Sequence, residues 1–454
     1  MDKIVNFLIQ KEKQRQQDWL EMIASENYVS KQVLESYSNV FTNKYSEWYP
    51  WKRYYWGQQY VDRLELLTQF RALAIFDLID FKKYLELEKL ILDEKISVWK
   101  LVSIYEEITH KIWWWVNVQP LSGSPANLAV YVWLLEPGDT ILGMDLSAGG
   151  HLSHWHRLNA SWKFFNIVTY GVRKDNYLIN YDEILEKALE YKPKLIIAGY
   201  SAYPRDLNYK KFYEIANEIE RVHWYRPILM ADIAHIAWLI AGGVLSNDFW
   251  KYFDVVTTTT HKTLRWPRWA IIYSRKELES KINRWVFPGV QWGPHVHIIA
   301  AKAVAFWEIL KNEKKDWKIY AKQVVKNAQV LAEELIKKWR KVFTWWTDNH
   351  IVLVDVANSF PELKLDWKIA EETLEKIWIS VNKNAIPYDT RPPLRPSGIR
   401  IGTPAVTTRG LKEKEILKIA NIVDKALKNW KDEELLKQLK EEVLEICNQY
   451  KLWY

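Results

Sequence analysis

The run Thr257-Thr258-Thr259-Thr260-His261-Lys262-Thr263 follows directly on the apolar residues Val255 and Val256. A lysine just beyond the end of a buried strand is desolvated enough to act as an amine nucleophile and form a Schiff base with a carbonyl compound. For an isolated Thr-rich run, a polar turn with a solvated lysine would serve as well. A second feature changes that weighting. Thirty residues upstream, the apolar run PILMA ends in Asp232, followed by Ile233-Ala234-His235. Lysine and carboxylate at successive strand ends are the pair pyridoxal phosphate requires, the amine to trap its aldehyde and the carboxylate to keep its ring nitrogen protonated. His235 is placed to orient the ring hydroxyl, although a structural histidine would look the same. For the phosphate, Ser122-Gly123-Ser124-Pro125-Ala126-Asn127 lies between an apolar run at 116–118 and the helix-like run 128–135. Small hydroxyls and free backbone N–H groups at a helix N-terminus bind such an anion.

Those residues need a sheet to hold them. KLIIAG at 194–199, PILMAD at 227–232, DVVTTTT at 254–260 and AIIYS at 270–274 each have the length of a buried strand, and helical segments separate them. An α/β fold with a mostly parallel sheet follows, with chemistry on the loops beyond the strand ends. Residues 1–60 read as an N-terminal helix and an irregular arm, 42–59, rich in Tyr, Trp and charge. Residues 61–300 form the large domain, in which the Lys/Glu/Leu-rich stretch 77–112 reads as a helical insertion. Residues 301–454 form a long helix and a smaller α+β domain; a long amphipathic helix is expected after Val286, with Val324, Ala328, Leu331 and Leu335 on one face.

Composition narrows the classes. With 454 residues, 48% of them hydrophobic, the chain can bury a large core in two or three domains. Its net charge of +8 is spread through mixed-sign helices, so no specific nucleic acid partner is indicated. Cys447 is the only cysteine, which excludes an intrachain disulfide and a cysteine-based metal site; no metal is expected. The apolar stretches are too short to span a bilayer and the first residues lack a secretory pattern, so a cytoplasmic protein is expected.

Eleven ordered blocks carry a family resemblance: IASEN (23–27), TNKYSEWYPWKRYYWG (42–57), VNVQPLSGSPAN (116–127), LLEPGDTILGMDLSAGGHLSH (134–154), SAYPR (201–205), DIAH (232–235), TTTTHKTLRWPR (257–268), VFPGVQWGP (286–294), TDNH (347–350), VNKNAIP (381–387) and SGIRIGTP (397–404). In this order the chain resembles the serine hydroxymethyltransferases, throughout except for residues 77–112. The resemblance implies the type I fold of pyridoxal-phosphate enzymes, with a mostly parallel seven-stranded sheet and a smaller C-terminal domain. It implies L-serine and glycine as substrates, tetrahydrofolate as co-substrate, and a homodimer with shared sites. By motif, Lys262 corresponds to the lysine that binds the cofactor, Asp232 to the partner of its ring nitrogen and His151 to the imidazole stacked on the ring. Ser201, Thr259, His235 and Tyr45 correspond to further cofactor contacts, and Gly123, Ser124 and, from a neighbouring subunit, Gly293 to its phosphate surroundings. Arg400 corresponds to the residue gripping the amino-acid carboxylate, helped by Ser25, with Tyr55 nearby. Glu47 corresponds to an acid beside the substrate hydroxyl and the folate, and Leu146, Leu152 and Asn384 to folate contacts. Two other readings compete: a folate-independent aldolase acting on threonine-like amino acids, and an inactive scaffold or RNA-binding relative.

The second of these draws on an anomaly. There are 27 Trp and only 15 Gly, about 3% glycine where roughly 7% is usual. Tryptophan stands where the resembled family has glycine at Trp48, Trp51, Trp56, Trp155, Trp238, Trp266, Trp269, Trp292, Trp345 and Trp346. Trp and Gly together number 42, about 9% of the chain, an ordinary glycine share plus a few true tryptophans. The expectation is that a codon normally read as stop is decoded as glycine in the source organism and rendered as tryptophan here.

Overall fold

The computed structural model describes residues 2–262, 264–265, 267–339, 341–389, 391 and 396–454. The chain opens with the helix Lys3–Asp18, started by the Asp2 carboxylate on the N–H groups of Ile4 and Val5, and the short strand β1 (Leu20–Glu21). Seven strands build the central sheet: β2 (Trp114–Asn117), β3 (Thr140–Met144), β4 (Asn166–Tyr170), β5 (Leu195–Gly199), β6 (Ile228–Asp232), β7 (Val255–Thr259) and β8 (Ala270–Arg275). Their order across the sheet is β2-β8-β7-β6-β5-β3-β4. Pairings from β4 to β7 are parallel; β8 runs antiparallel to both β7 and β2.

Successive residues of these strands enter different cores. Leu195, Ile197, Met230 and Val255 pack with Ala126, Ala129 and Val130 of the helix Gly123–Leu134. Ile196, Ala198, Leu229, Ala231 and Val256 point to the other face, into a larger core shared with the helices Gln59–Ile75, Tyr209–His223 and Val296–Leu310. Period-two side chains buried on both faces explain why these strands read as unbroken apolar runs.

In the C-terminal part, β9 (Ile351–Asp355), β11 (Asn382–Asn384) and β12 (Gly398–Gly402) form an antiparallel sheet in the order β11-β12-β9, while β10 (Ile379–Ser380) pairs with β1. This sheet and the helices Lys315–Trp339, Trp367–Lys376, Glu413–Lys428 and Glu433–Gln449 share a core of their own. Gly402 meets the N-terminal segment here: a Cβ on it would lie 2.3 Å from Cα of Ala24.

The long helix expected after Val286 is Lys315–Trp339, which carries Val324, Ala328, Leu331 and Leu335, and a separate helix, Val296–Leu310, precedes it. Between them Asn312, Glu313 and Lys314 take left-handed conformations. Lys314 Nζ is drawn to the Asp77 carboxylate at 2.7 Å and to the Ile75 carbonyl at 3.1 Å, tertiary partners that reward the break. Residues 77–112 contain the helices Phe81–Leu92 and Val98–Ile112, capped by Asp80 and Ser97. No helix of the described residues is long and apolar enough to cross a membrane.

Candidate functional site

The C-terminal ends of β6 and β7 open into a cavity of about 170 Å³, lined among others by Asp232, His235, Thr259, Lys262, His151 and Ser201. Asp232 is the last residue of β6, and Lys262 lies in the turn three residues past β7. Neighbouring parallel strands therefore deliver a carboxylate and an amine to one space. Gly199 ends the adjacent β5, and a Cβ there would meet the Asp232 carbonyl oxygen at 2.6 Å. Only glycine lets these two strand ends approach so closely.

Two side chains and one backbone N–H fix the Asp232 carboxylate. Asn127 Nδ2 donates to Oδ2 at 2.9 Å, His154 Nε2 lies 3.0 Å from the same oxygen, and the Ala234 N–H donates to Oδ1 at 3.1 Å. Asn127 is oriented in turn by accepting from Thr257 Oγ1 at 2.8 Å. Burial works against ionisation of Asp232, but the His154 hydrogen bond and the Lys262 charge outweigh it and hold the carboxyl below the usual carboxylate range. Burial depresses Lys262 to about 8; Asp232 opposes this, and the Arg400 and Arg268 charges add to it. An amine near 8 supplies far more neutral nucleophile at physiological pH than an ordinary lysine does.

His151 precedes the turn Leu152–Trp155, and its Nδ1 accepts the Ser153 N–H at 3.1 Å. Burial and the Lys262 charge lower its imidazole to about 3, so the ring is neutral. His235 is lowered too, chiefly by burial. Opposite them the helix Gly123–Leu134 begins at the cavity wall, and the Ser122 side chain caps none of its first N–H groups. A Cβ on Gly123 would come within 2.7 Å of Thr259 Cγ2, so glycine keeps this corner clear. Ser124 lines the same corner, and Thr259 Oγ1 donates to the Ala234 carbonyl at 3.3 Å. Ser201 lines the cavity, and its buried Oγ has no hydrogen-bond partner among the described residues.

Arg400 comes from β12 of the C-terminal sheet. Its Nε donates to Asn382 Oδ1 at 2.9 Å and Nη1 to the Ser201 carbonyl, which ties the guanidinium to the cavity wall. Burial lowers it to about 10, still a full cation at neutral pH. Ser25 sits in the turn after β1, beside Ala24, whose carbonyl lies 3.1 Å from His350 Nε2.

A second cluster lies elsewhere. Glu47, buried and not a solvated loop charge, accepts from Trp292 Nε1 at 2.5 Å. A Cβ on Gly293 would be 3.6 Å from Glu47 Cγ and 3.8 Å from Tyr45 Cε1, and Tyr45 meets Tyr55 edge-on at 5.8 Å. None of these four lines the Lys262 cavity. Arg53 anchors their arm: its Nη1 donates to the carbonyls of Ser46 and Trp48 on either side of Glu47, while Nε and Nη2 pair with Asp62 and Glu65. Leu146 lines a third space, a cleft of about 710 Å³ shared with Ala385, Pro387 and Tyr388. Asn384 ends β11 next to Ala385, and Leu152 is exposed in the turn after His151.

Reading from the sequence missed His154, Asn127 and Arg53. The spacing of His151 and His154, three apart in GGHLSHWH, offered a signal that both could face one site. Asn127 stood inside the SGSPAN motif without an assigned task.

A mostly parallel sheet carrying lysine and aspartate at adjacent strand ends, with an open helix N-terminus facing them, defines a pyridoxal-phosphate enzyme of fold type I. The orphan Ser201 hydroxyl and the corner kept clear at Gly123 fit that cofactor. The family model described as serine hydroxymethyltransferase matches residues 1–89 and 88–423, and the chain belongs to this family. The match runs through the whole stretch 77–112, in which no block of the resemblance was found.

Proposed function

We propose that the protein is a homodimeric, cytoplasmic glycine hydroxymethyltransferase that converts L-serine and tetrahydrofolate reversibly to glycine, 5,10-methylenetetrahydrofolate and water. The observation that carries this reading is the shared cavity of Lys262 and Asp232, with the Arg400 guanidinium bound to its wall through Ser201. Pyridoxal phosphate, when bound, supplies the electron sink that accepts negative charge from the amino-acid Cα. Lys262 holds its aldehyde, and the ionised Asp232 keeps a proton on its ring nitrogen. His151 stacks on the ring, His235, Thr259 and Ser201 hold its polar edge, and Gly123 and Ser124 take the phosphate at the helix N-terminus. Arg400, assisted by Ser25, grips the substrate carboxylate.

Glu47, Tyr45, Tyr55 and Gly293 complete the cavity of a second copy of the chain, where Glu47 manages the proton of the serine hydroxymethyl group. Two facts support this: the cluster lies outside the cavity of its own subunit, and the arm around it exposes Tyr54 and Trp56. The folate lies against Leu146, Leu152 and Asn384; the cleft that Leu146 shares with Ala385 is the support. Serine labelled in its side-chain carbon tests the reading. The label should pass to tetrahydrofolate as glycine forms; cleavage at the same rate without folate would instead mark an aldolase.

A further inference from the structure

Sixteen non-glycine residues among those described have φ in the left-handed region, and six of them are tryptophan: Trp48, Trp51, Trp113, Trp224, Trp345 and Trp378, with φ between 52° and 68°. Tyrosine, nearly as abundant at 25 residues, contributes only Tyr177 and Tyr388, and the 14 phenylalanines contribute none. Aromatic bulk is therefore not the cause. In the left-handed region a Cβ crowds the following carbonyl, which is why glycine is the usual occupant.

Three of the six stand where helices commonly end in glycine. Trp113 terminates Val98–Ile112, and Trp224 terminates Tyr209–His223 with its N–H on the Glu220 carbonyl. Trp378 lies just beyond Trp367–Lys376, its N–H on the Glu375 carbonyl at 2.9 Å. The indoles of Trp113 and Trp224 gain little by being there, while Trp48, Trp345 and Trp378 meet Phe287, Tyr177 and Trp19. Trp224 is 91% exposed and Trp113 60%, and Trp48, Trp51 and Trp345 are also exposed. Trp114 behaves otherwise: it is buried in the extended strand β2, meets Trp250 edge-on at 4.8 Å and donates its Nε1 proton to the Trp250 carbonyl.

We infer that the natural polypeptide carries glycine at the six left-handed positions, specified by one codon that is ordinarily a stop, is decoded as glycine in the source organism and is rendered as tryptophan in this sequence. The left-handed backbone at these positions is independent of the family resemblance. It adds Trp113, Trp224 and Trp378 to the positions the resemblance marks, and supports Trp48, Trp51 and Trp345 independently. Trp238, fully buried in a helical turn, gains no such support, and Trp266 lies outside the described residues.

Peptide mass spectrometry of the protein isolated from its own source reads these positions directly. Glycine at all six is expected, with the six codons of the gene identical. Tryptophan at any of the six, or two different codons among them, would overturn the inference.

Discussion

Lys262 and Arg400 show how burial adapts two cations to different tasks. Burial brings the Lys262 amine to about 8, so its neutral, nucleophilic form gains population as pH rises through 8 and is lost below it. Reconstitution of cofactor-free protein with pyridoxal phosphate, followed by visible absorbance, should therefore speed up with pH around a midpoint near 8. A midpoint at an ordinary lysine value would mean that the amine is not desolvated. Arg400 stays charged, and its value lies in a fork fixed by Asn382 and Ser201. Arg400→Lys should raise the serine concentration needed for half-saturation roughly tenfold to a hundredfold while sparing cofactor affinity, because a point charge cannot reproduce a charge-assisted two-bond contact. Asp232 and Lys262 were legible because Asp232 ends an apolar run of strand length and Lys262 follows another by a few residues, so the two read as a pair. Glu47 was not: its burial comes from Trp292 and from the Arg53 clamp, residues distant in sequence or without a motif of their own.

At the scale of elements, the buried strands were readable and the interruptions were not. Residues 311–314 contain neither glycine nor proline, so nothing local announced the break between Val296–Leu310 and Lys315–Trp339; the partners of Lys314 on the segment 75–77 favour it. Helix ends were obscured for another reason, since Trp113 and Trp224 stand where a glycine would have signalled a stop. A single exchange tests this. In protein made with tryptophan at these positions, Trp224→Gly should raise unfolding stability by about 1 kcal/mol in urea titration, because left-handed strain is removed and the exposed indole gives up almost no burial. A loss of stability would show that the indole packs favourably.

For the whole molecule, the arrangement divides the proposed catalytic residues between two places. Lys262, Asp232 and His151 line one cavity, with Arg400 held to its wall through the Ser201 carbonyl, and Glu47, Tyr45, Tyr55 and Gly293 gather outside it. Two chains exchanging these clusters would each complete the other's site, which fits a closed two-fold dimer. The resemblance implied shared sites; no spacing within one chain could have revealed them, because the relation lies between copies. Refolding a mixture of Lys262→Ala and Glu47→Gln chains should restore part of the turnover that each lacks alone, since one site in each hybrid dimer is intact. A mixture no more active than its components would place both clusters in the service of a single chain. The central claim is that Lys262 holds pyridoxal phosphate in the cavity beyond β6 and β7. Borohydride reduction of the cofactor-loaded protein followed by peptide mass spectrometry tests it most directly: the account predicts a pyridoxyl group on the peptide containing Lys262, and a label on another lysine, or none, would contradict it.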